Sequence, residues 1–298
     1  MKTITAEALD ALLGNGATPL ILDVRLADDH EAARIPNSIN NCVFEVNFLD
    51  RVAEQLPDKD QPIVLCGADA HSQEARMAGE KLERLGFTDL TLLRGGVASW
   101  HVGGYPMDGG KALPPEPEPP DGRHQLDLPE CRVEWLGRNL LGRHTGSVDI
   151  KEGYLDFDDG HLVGGVILFD LHTLQCDDLA GTPQHDVLIA HLHDHDFLDV
   201  GNHPEARLQI LHAEPTGEPT GAPNLEVRAA LTLRGVTSPI DVTVAAGLAP
   251  GGRPAAQAAF AIDRTRWGIL YGSGRFFHRL AGHLVNDLIE FQVRIVCQ

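Results

Sequence analysis

Cations are scarce in this sequence: 24 Lys and Arg stand against 43 Asp and Glu in 298 residues, for a formal net charge of −19. A surface that acidic repels phosphate backbones and anionic lipid headgroups, which argues against nucleic-acid binding. Paired cysteines are missing as well. Cys42, Cys66, Cys131, Cys176 and Cys297 are odd in number and widely spaced, with no C-x-x-C among them. That excludes a disulfide framework and a cysteine-only zinc site. No apolar run is long enough to cross a bilayer, and Glu7 and Asp10 fall where a signal peptide would be apolar. The expectation is a cytoplasmic protein with reduced thiols.

What is present is ordinary globular material, 43% hydrophobic and 22% charged, in a chain longer than one average domain. Two domains are expected, and the pattern changes where they would meet. Over 1–110, helical and strand patterns alternate. Thr5 can cap a short helix bearing Ala8, Leu9, Leu12 and Leu13, and Pro19 to Val24 is an unbroken apolar strand. Helices are predicted over 29–34, 44–56 and 72–85, and further strands over 62–66 and 90–93. This alternation predicts an α/β domain with a parallel sheet, whose ligands sit beyond the carboxyl ends of the strands.

Residues 111–130, with the run Pro114-Pro-Glu-Pro-Glu-Pro-Pro120, read as a polyproline-type linker. From 131 to 298 the period becomes two. Val227, Ala229, Leu231 and Leu233 alternate with polar residues, as do Val242 and Val244, and again Phe291 and Val293. Turn signals at Asp158-Asp-Gly160, Pro215-Thr-Gly217 and Pro250-Gly-Gly252 separate such segments. The prediction is an all-β antiparallel domain, a sandwich or barrel. A barrel of about eight strands is either filled by its side chains or holds one ligand. Small side chains such as Ala229, Ala245, Ala246, Ala256, Ala258, Ala259 and Ala261 fill little volume and favour a cavity. The named alternating residues, Val227 through Val293, would line it.

The stretch Pro62-Ile-Val-Leu-Cys66-Gly-Ala-Asp-Ala-His-Ser72 stands out chemically. A strand delivers a thiol to a short loop, Gly67, Ala68, Asp69, Ala70 and His71, before a helix expected to open at Ser72. Loop N–H groups and a helix N-terminus converging there would lower the thiol pKa and receive anions. A cysteine phosphatase needs a phosphate-clamping arginine where Ser72 stands, and is rejected. His191, His193 and His195 alternate, so on a strand they would share one face with ligand-like spacing, although surface histidines are the commoner outcome.

Both halves resemble known families. Asp23-Val-Arg25, Ile35-Pro-Asn-Ser-Ile39, the Cys66 loop, Leu93-Arg-Gly-Gly-Val-Ala-Ser-Trp100 and Gly104-Tyr-Pro106 resemble a single-domain rhodanese. The resemblance implies a sulfurtransferase in which Cys66 carries a persulfide cradled by residues 67–71. Its partners would be a sulfane-sulfur donor and a thiol or other nucleophilic acceptor. Rhodanese loops commonly carry cations and end on an arginine, whereas this one has Asp69 and His71. A thiosulfate dianion is therefore opposed and a persulfide donor preferred, with Arg94 as a candidate source of the missing charge.

His144-Thr-Gly146, His191 to Val200, His203-Pro204, Leu231 to Thr237 and Phe260 to Gly268 resemble the YceI-like family of lipocalin-type barrels. That resemblance implies a tunnel for an isoprenoid- or quinone-like, or fatty, molecule. No other cofactor is required, a metal is disfavoured, and pairing as a homodimer is left open. The combined expectation is a sulfur carrier tethered to a barrel with an apolar-tailed ligand. The competing one is a binding protein whose rhodanese half is not catalytic.

Overall fold

The computed structural model describes residues 1–112, 117–280 and 284–298. The chain divides into two units, Met1–Glu116 and Pro117–Gln298. No helix among the described residues is long and apolar enough to cross a membrane.

In the first unit, strands β1 (Lys2–Ile4), β2 (Leu20–Asp23), β3 (Ala33–Arg34), β4 (Ile39–Asn40), β5 (Ile63–Cys66), β6 (Leu90–Leu93) and β7 (Asp108–Gly109) alternate with helices. The helices are α1 (Ala6–Gly14), α2 (Ala27–Ala32), α3 (Phe48–Gln55), α4 (Glu74–Arg84) and α5 (Gly96–Val102). Five strands form a parallel sheet in the order β1-β6-β5-β2-β4. The continuous apolar run of β5 places it in the middle, buried at every position. Its alternate side chains feed two cores: Leu65 packs with Phe48, Ala78 and Leu82, and Val64 with Leu9, Val97 and Trp100. Thr5 caps α1 by accepting from the Ala8 N–H at 3.2 Å. Ala33 and Arg34, expected in a helix, are extended because they pair with Gly109 and Asp108.

In the second unit, β8 (Gly122–Gln125) precedes β9 (Arg132–Asn139), β10 (Arg143–Asp158), β11 (His161–Cys176), β12 (Glu205–Pro215), β13 (Leu225–Leu233), β14 (Val236–Ala249), β15 (Arg253–Asp263) and β16 (Val285–Val296). From β9 to β16 each strand pairs antiparallel with the next, and β16 returns to β9, closing an eight-stranded barrel. Asp159 and Gly160, with φ of 45° and 81°, form the tight β10–β11 turn that the Asp-Asp-Gly signal predicts. The barrel unit begins earlier than the boundary expected at 131, because β8 pairs with β10. Residues 113–116 of the expected linker lie outside the described residues. Between β11 and β12 runs α6 (Pro183–His193), which packs Leu188, Ile189 and Leu192 against the barrel core.

Candidate functional site

Two groups of chemistry-bearing residues result, one in each unit. In the barrel, inward side chains leave two chambers, of about 460 Å³ and about 250 Å³. They occupy opposite ends of the strands and meet at a waist of Phe169, Leu208, Phe260 and Val293, which line both. Val227, Ala229, Val242, Val244 and Val293 face the larger chamber; Leu231, Leu233, Phe291 and Val293 face the smaller. Ala246, Ala256 and Ala258 widen the larger one, whereas Ala259 and Ala261 point outward. Arg138, Asn139, His144, His191 and Arg264 contribute to the wall of the smaller chamber, and His161, Asn224 and Gln257 to that of the larger. Trp135 and His191, both in the wall of the smaller chamber, each hold a ring nitrogen (Nε1 and Nε2) sealed from solvent without a hydrogen-bond partner among the described residues, Asp196 Oδ1 lying 4.0 Å from His191 Nε2.

In the first unit, Cys66 stands at the carboxyl end of β5, opposite Asp23 of β2, with its thiol directed at the Leu22 carbonyl at 3.6 Å. Arg25, from the Asp23-Val-Arg segment, grips the Asp23 carboxylate through Nε and Nη2 at 2.7–3.2 Å. Gly96, with φ of 57°, lets α5 start directly on the cysteine loop: the Val97 and Ala98 N–H groups donate to Gly67 and Ala68 carbonyls at 2.9 Å. A Cβ at Gly96 would collide with that loop backbone, so glycine is required by close approach as well as by φ.

The expected lowering of the Cys66 pKa is not found. Burial pushes the thiol well above its ordinary value, the Asp23 carboxylate pushes the same way, and Arg25 opposes them. Four of the N–H groups that should serve an anion, those of Ala68, Asp69, His71 and Ser72, are taken by side chains of the loop and of α4. Ala68 N–H donates to Glu74 Oε1 at 2.6 Å, and the His71 and Ser72 N–H groups donate to Asp69 Oδ1 at 2.8 and 2.9 Å. Asp69 N–H donates to Ser72 Oγ at 3.2 Å. Ser72 does not open the helix; α4 begins at Glu74, so the first-turn carboxylate of Glu74 reaches back over the loop. Ala70 lies at the exposed tip of the same loop. The cation that acts on Cys66 is Arg25; Arg94, the candidate from the sequence, is exposed beside the Gly95 turn. Alkylation by iodoacetamide at pH 8 should therefore label Cys66 at least about 100-fold more slowly in the folded chain than after denaturation, read by peptide mass spectrometry.

The three alternating histidines do not share a strand face. His191 and His193 sit in the last turn of α6 and His195 follows it, its Nδ1 2.6 Å from Asp194 Oδ1. Two residues apart on a helix point in different directions, so the ligand-like spacing dissolves. A grouping that the sequence did not suggest lies nearby: His144, Cys176 and Asp178 bring their donor atoms within 4.8 Å of one another. Asp178 accepts from Thr145 N–H at 2.7 Å, from Cys176 Sγ at 3.3 Å, and lies 2.9 Å from His144 Nδ1. These bonds satisfy the group without an ion.

Burial acts to raise the Asp178 carboxyl, but those hydrogen bonds hold it down at about 2. Burial, followed by the Asp178 carboxylate, pushes the Cys176 thiol up to about 11, and burial does the same to Cys297. A depressed carboxyl adds stability above its unfolded value near 3.9, lost as pH falls toward 2; raised thiols add stability below about 9, lost as pH climbs through 11. Thermal melts should thus decline at both limits, and Asp178→Asn should flatten the acid limb.

The comparisons agree with this division. The model of the YceI-like domain matches residues 125–297, more than half of the chain. The chain belongs to the YceI-like family. Its first unit is a rhodanese-like domain, matched over residues 5–102. That unit is 28% identical over 111 residues to the uncharacterized protein YibN of Escherichia coli (strain K12), covering 37% of this chain and 75% of that protein. Among solved structures, the YceI-like half is similar to BcnA of Burkholderia cenocepacia, with 15% identity, a TM-score of 0.47, and coverage of 58% of this chain and 99% of that one. It is also similar to a polyisoprenoid binding domain from Saccharophagus degradans, with 12% identity, a TM-score of 0.44, and coverage of 59% and 97%.

Proposed function

We propose that this chain is a binding protein for an apolar-tailed amphiphile of the isoprenoid- or quinone-like class, held inside the YceI-like barrel. The pair of apolar chambers along the barrel axis carries this reading. A closed barrel whose interior were meant to be solid would place large side chains where Ala229, Ala256 and Ala258 stand. The unpartnered Trp135 and His191 nitrogens favour a ligand with one polar, hydrogen-bonding end near the smaller chamber. A fluorescent fatty probe should bind the full chain saturably at one site and be displaced by a long isoprenoid alcohol. Failure of both to bind would remove the proposal.

A second reading, sulfur transfer at Cys66, is favoured by the thiol's place at the end of a central parallel strand with Arg25 beside it. The Cys66 thiolate would attack the sulfane sulfur of a persulfide donor, breaking the donor's S–S bond and releasing its thiolate. A nucleophilic acceptor would then take the outer sulfur and restore Cys66. The carboxylates of Asp69 and Glu74 must first release the loop amides, and the Cys66 thiol rests protonated. Cyanolysable sulfur after donor treatment, lost in Cys66→Ser, supports transfer; its absence leaves only the barrel reading.

A further inference from the structure

Two connections at one end of the barrel lack acidic residues, although the β11–β12 connection at the same end carries Asp177, Asp178, Asp186, Asp194, Asp196 and Asp199. No Asp or Glu occurs between Glu134 and Asp149, nor between Asp263 and Asp287, although the whole chain has 43. These two stretches meet in space: Asn139 is the cross-strand partner of Val285, and the Val285 N–H donates to the Gly272 carbonyl at 2.9 Å. Each carries exposed apolar side chains between cations. At the β9–β10 tip, Leu140 and Leu141 are 75% and 92% exposed, flanked by Arg138 and Arg143. In the second loop Phe276 and Phe277 are 52% and 46% exposed, flanked by Arg275, His278 and Arg279. Arg138 is paired with Glu290 and Arg275 with Asp263 and Asp287, while no ion pair joins Arg143 or Arg279 to a carboxylate among the described residues.

From this the geometry points to a docking surface: we propose that these two loops seat the barrel on an anionic lipid bilayer. Leucines at a hairpin tip and adjacent phenylalanines suit shallow insertion at the level of the headgroups, and the arginines beside them suit anionic headgroups. An acidic protein surface would satisfy the cations but would leave Leu141 little to bury against. The acidic residues beside these loops, Glu290, Asp178, Asp263 and Asp287, are paired with Arg138, His144 and Arg275, and charges more than about 8 Å from the bilayer are screened at physiological salt. Position gives the contact a purpose. Arg138, Asn139 and Val285, at the roots of the two loops, also line the smaller chamber, so an apolar tail leaving the bilayer would meet that chamber first. This use rests on the ligand reading above; the docking itself does not.

Flotation of the ligand-free full chain with phosphatidylcholine vesicles, with and without about 30% phosphatidylglycerol, tests the docking. Binding is expected to the anionic vesicles and to weaken with salt. Arg143→Gln with Arg279→Gln should weaken it roughly 25-fold, about fivefold for each charge removed. Leu140→Asp with Leu141→Asp should weaken it at least about tenfold. Unchanged melting and unchanged uptake of the fluorescent fatty probe would show that both variants fold and keep the chambers. No flotation by the parent chain, equal flotation by both variants, or a salt-resistant dimer of the parent that the same substitutions dissociate would each overturn the proposal. Because the probe assay needs no membrane, its failure is distinguishable from failure to dock.

Discussion

Arg264→Ala is expected to destabilise the barrel by about 3–5 kcal/mol, the range for breaking a buried, hydrogen-bonded charge arrangement. Arg264 is 1% exposed, yet it carries three hydrogen bonds to carbonyls: Asn286 at 3.0 Å, Ile269 at 2.7 Å and Val285 at 3.2 Å. Its guanidinium lies 3.6 Å from Asp287 and stacks 5.7 Å from the Phe197 ring centroid. Alanine would strand three acceptors and leave Asp287 with Arg275 as its ion-pair partner among the described residues. Lysine keeps the charge but has no planar fork to serve three carbonyls, so Arg264→Lys should fall between the two. Urea unfolding followed by near-ultraviolet circular dichroism measures the loss. A difference under 1 kcal/mol would mean that the segment joining β15 to β16 does not depend on this residue.

The second large effect is on binding. Ala258 lies on β15 between Val244 and Val293 on the neighbouring strands and faces the larger chamber close to the waist. Ala258→Trp should fill much of that space and weaken the fatty probe by roughly 100-fold or more, at an overpacking cost of about 1–3 kcal/mol. Its neighbour Ala259 points to solvent, so Ala259→Trp is the matched control and should bind as the parent does. Equal binding by both would place the ligand outside the barrel.

Much of this arrangement is legible in the sequence because it is set by local period. The strict alternation from Val227 to Leu233, and from Ile289 to Ile295, directs one side of each strand inward whatever the strand order. The apolar run ending at Cys66 marks a central strand for the same reason. The histidine segment misleads because its polar residues alternate while its apolar ones do not. Leu188 and Leu192 are four apart behind a Thr182-Pro183 start, and that helical signal decides the outcome.

The state of the Cys66 loop depends on contacts that sequence spacing does not specify. Asp69, which in the sequence looks like a charge set against an anionic substrate, folds back as an acceptor for two loop amides, and Glu74 takes a third. Arg25 rather than Arg94 faces the thiol because the β2–β5 register puts Asp23 beside Cys66. The His144, Cys176 and Asp178 group likewise comes from pairing between β10 and β11, with Asp178 just beyond the strand end.

Native mass spectrometry of the full chain, purified without detergent, tests the central claim most directly. The account predicts a non-covalent adduct with the mass of a long apolar-tailed molecule, released on activation, retained in Ala259→Trp and missing from Ala258→Trp. The mass of the bare polypeptide in all three, with no adduct regained on incubation with isoprenoid-containing vesicles, would contradict it.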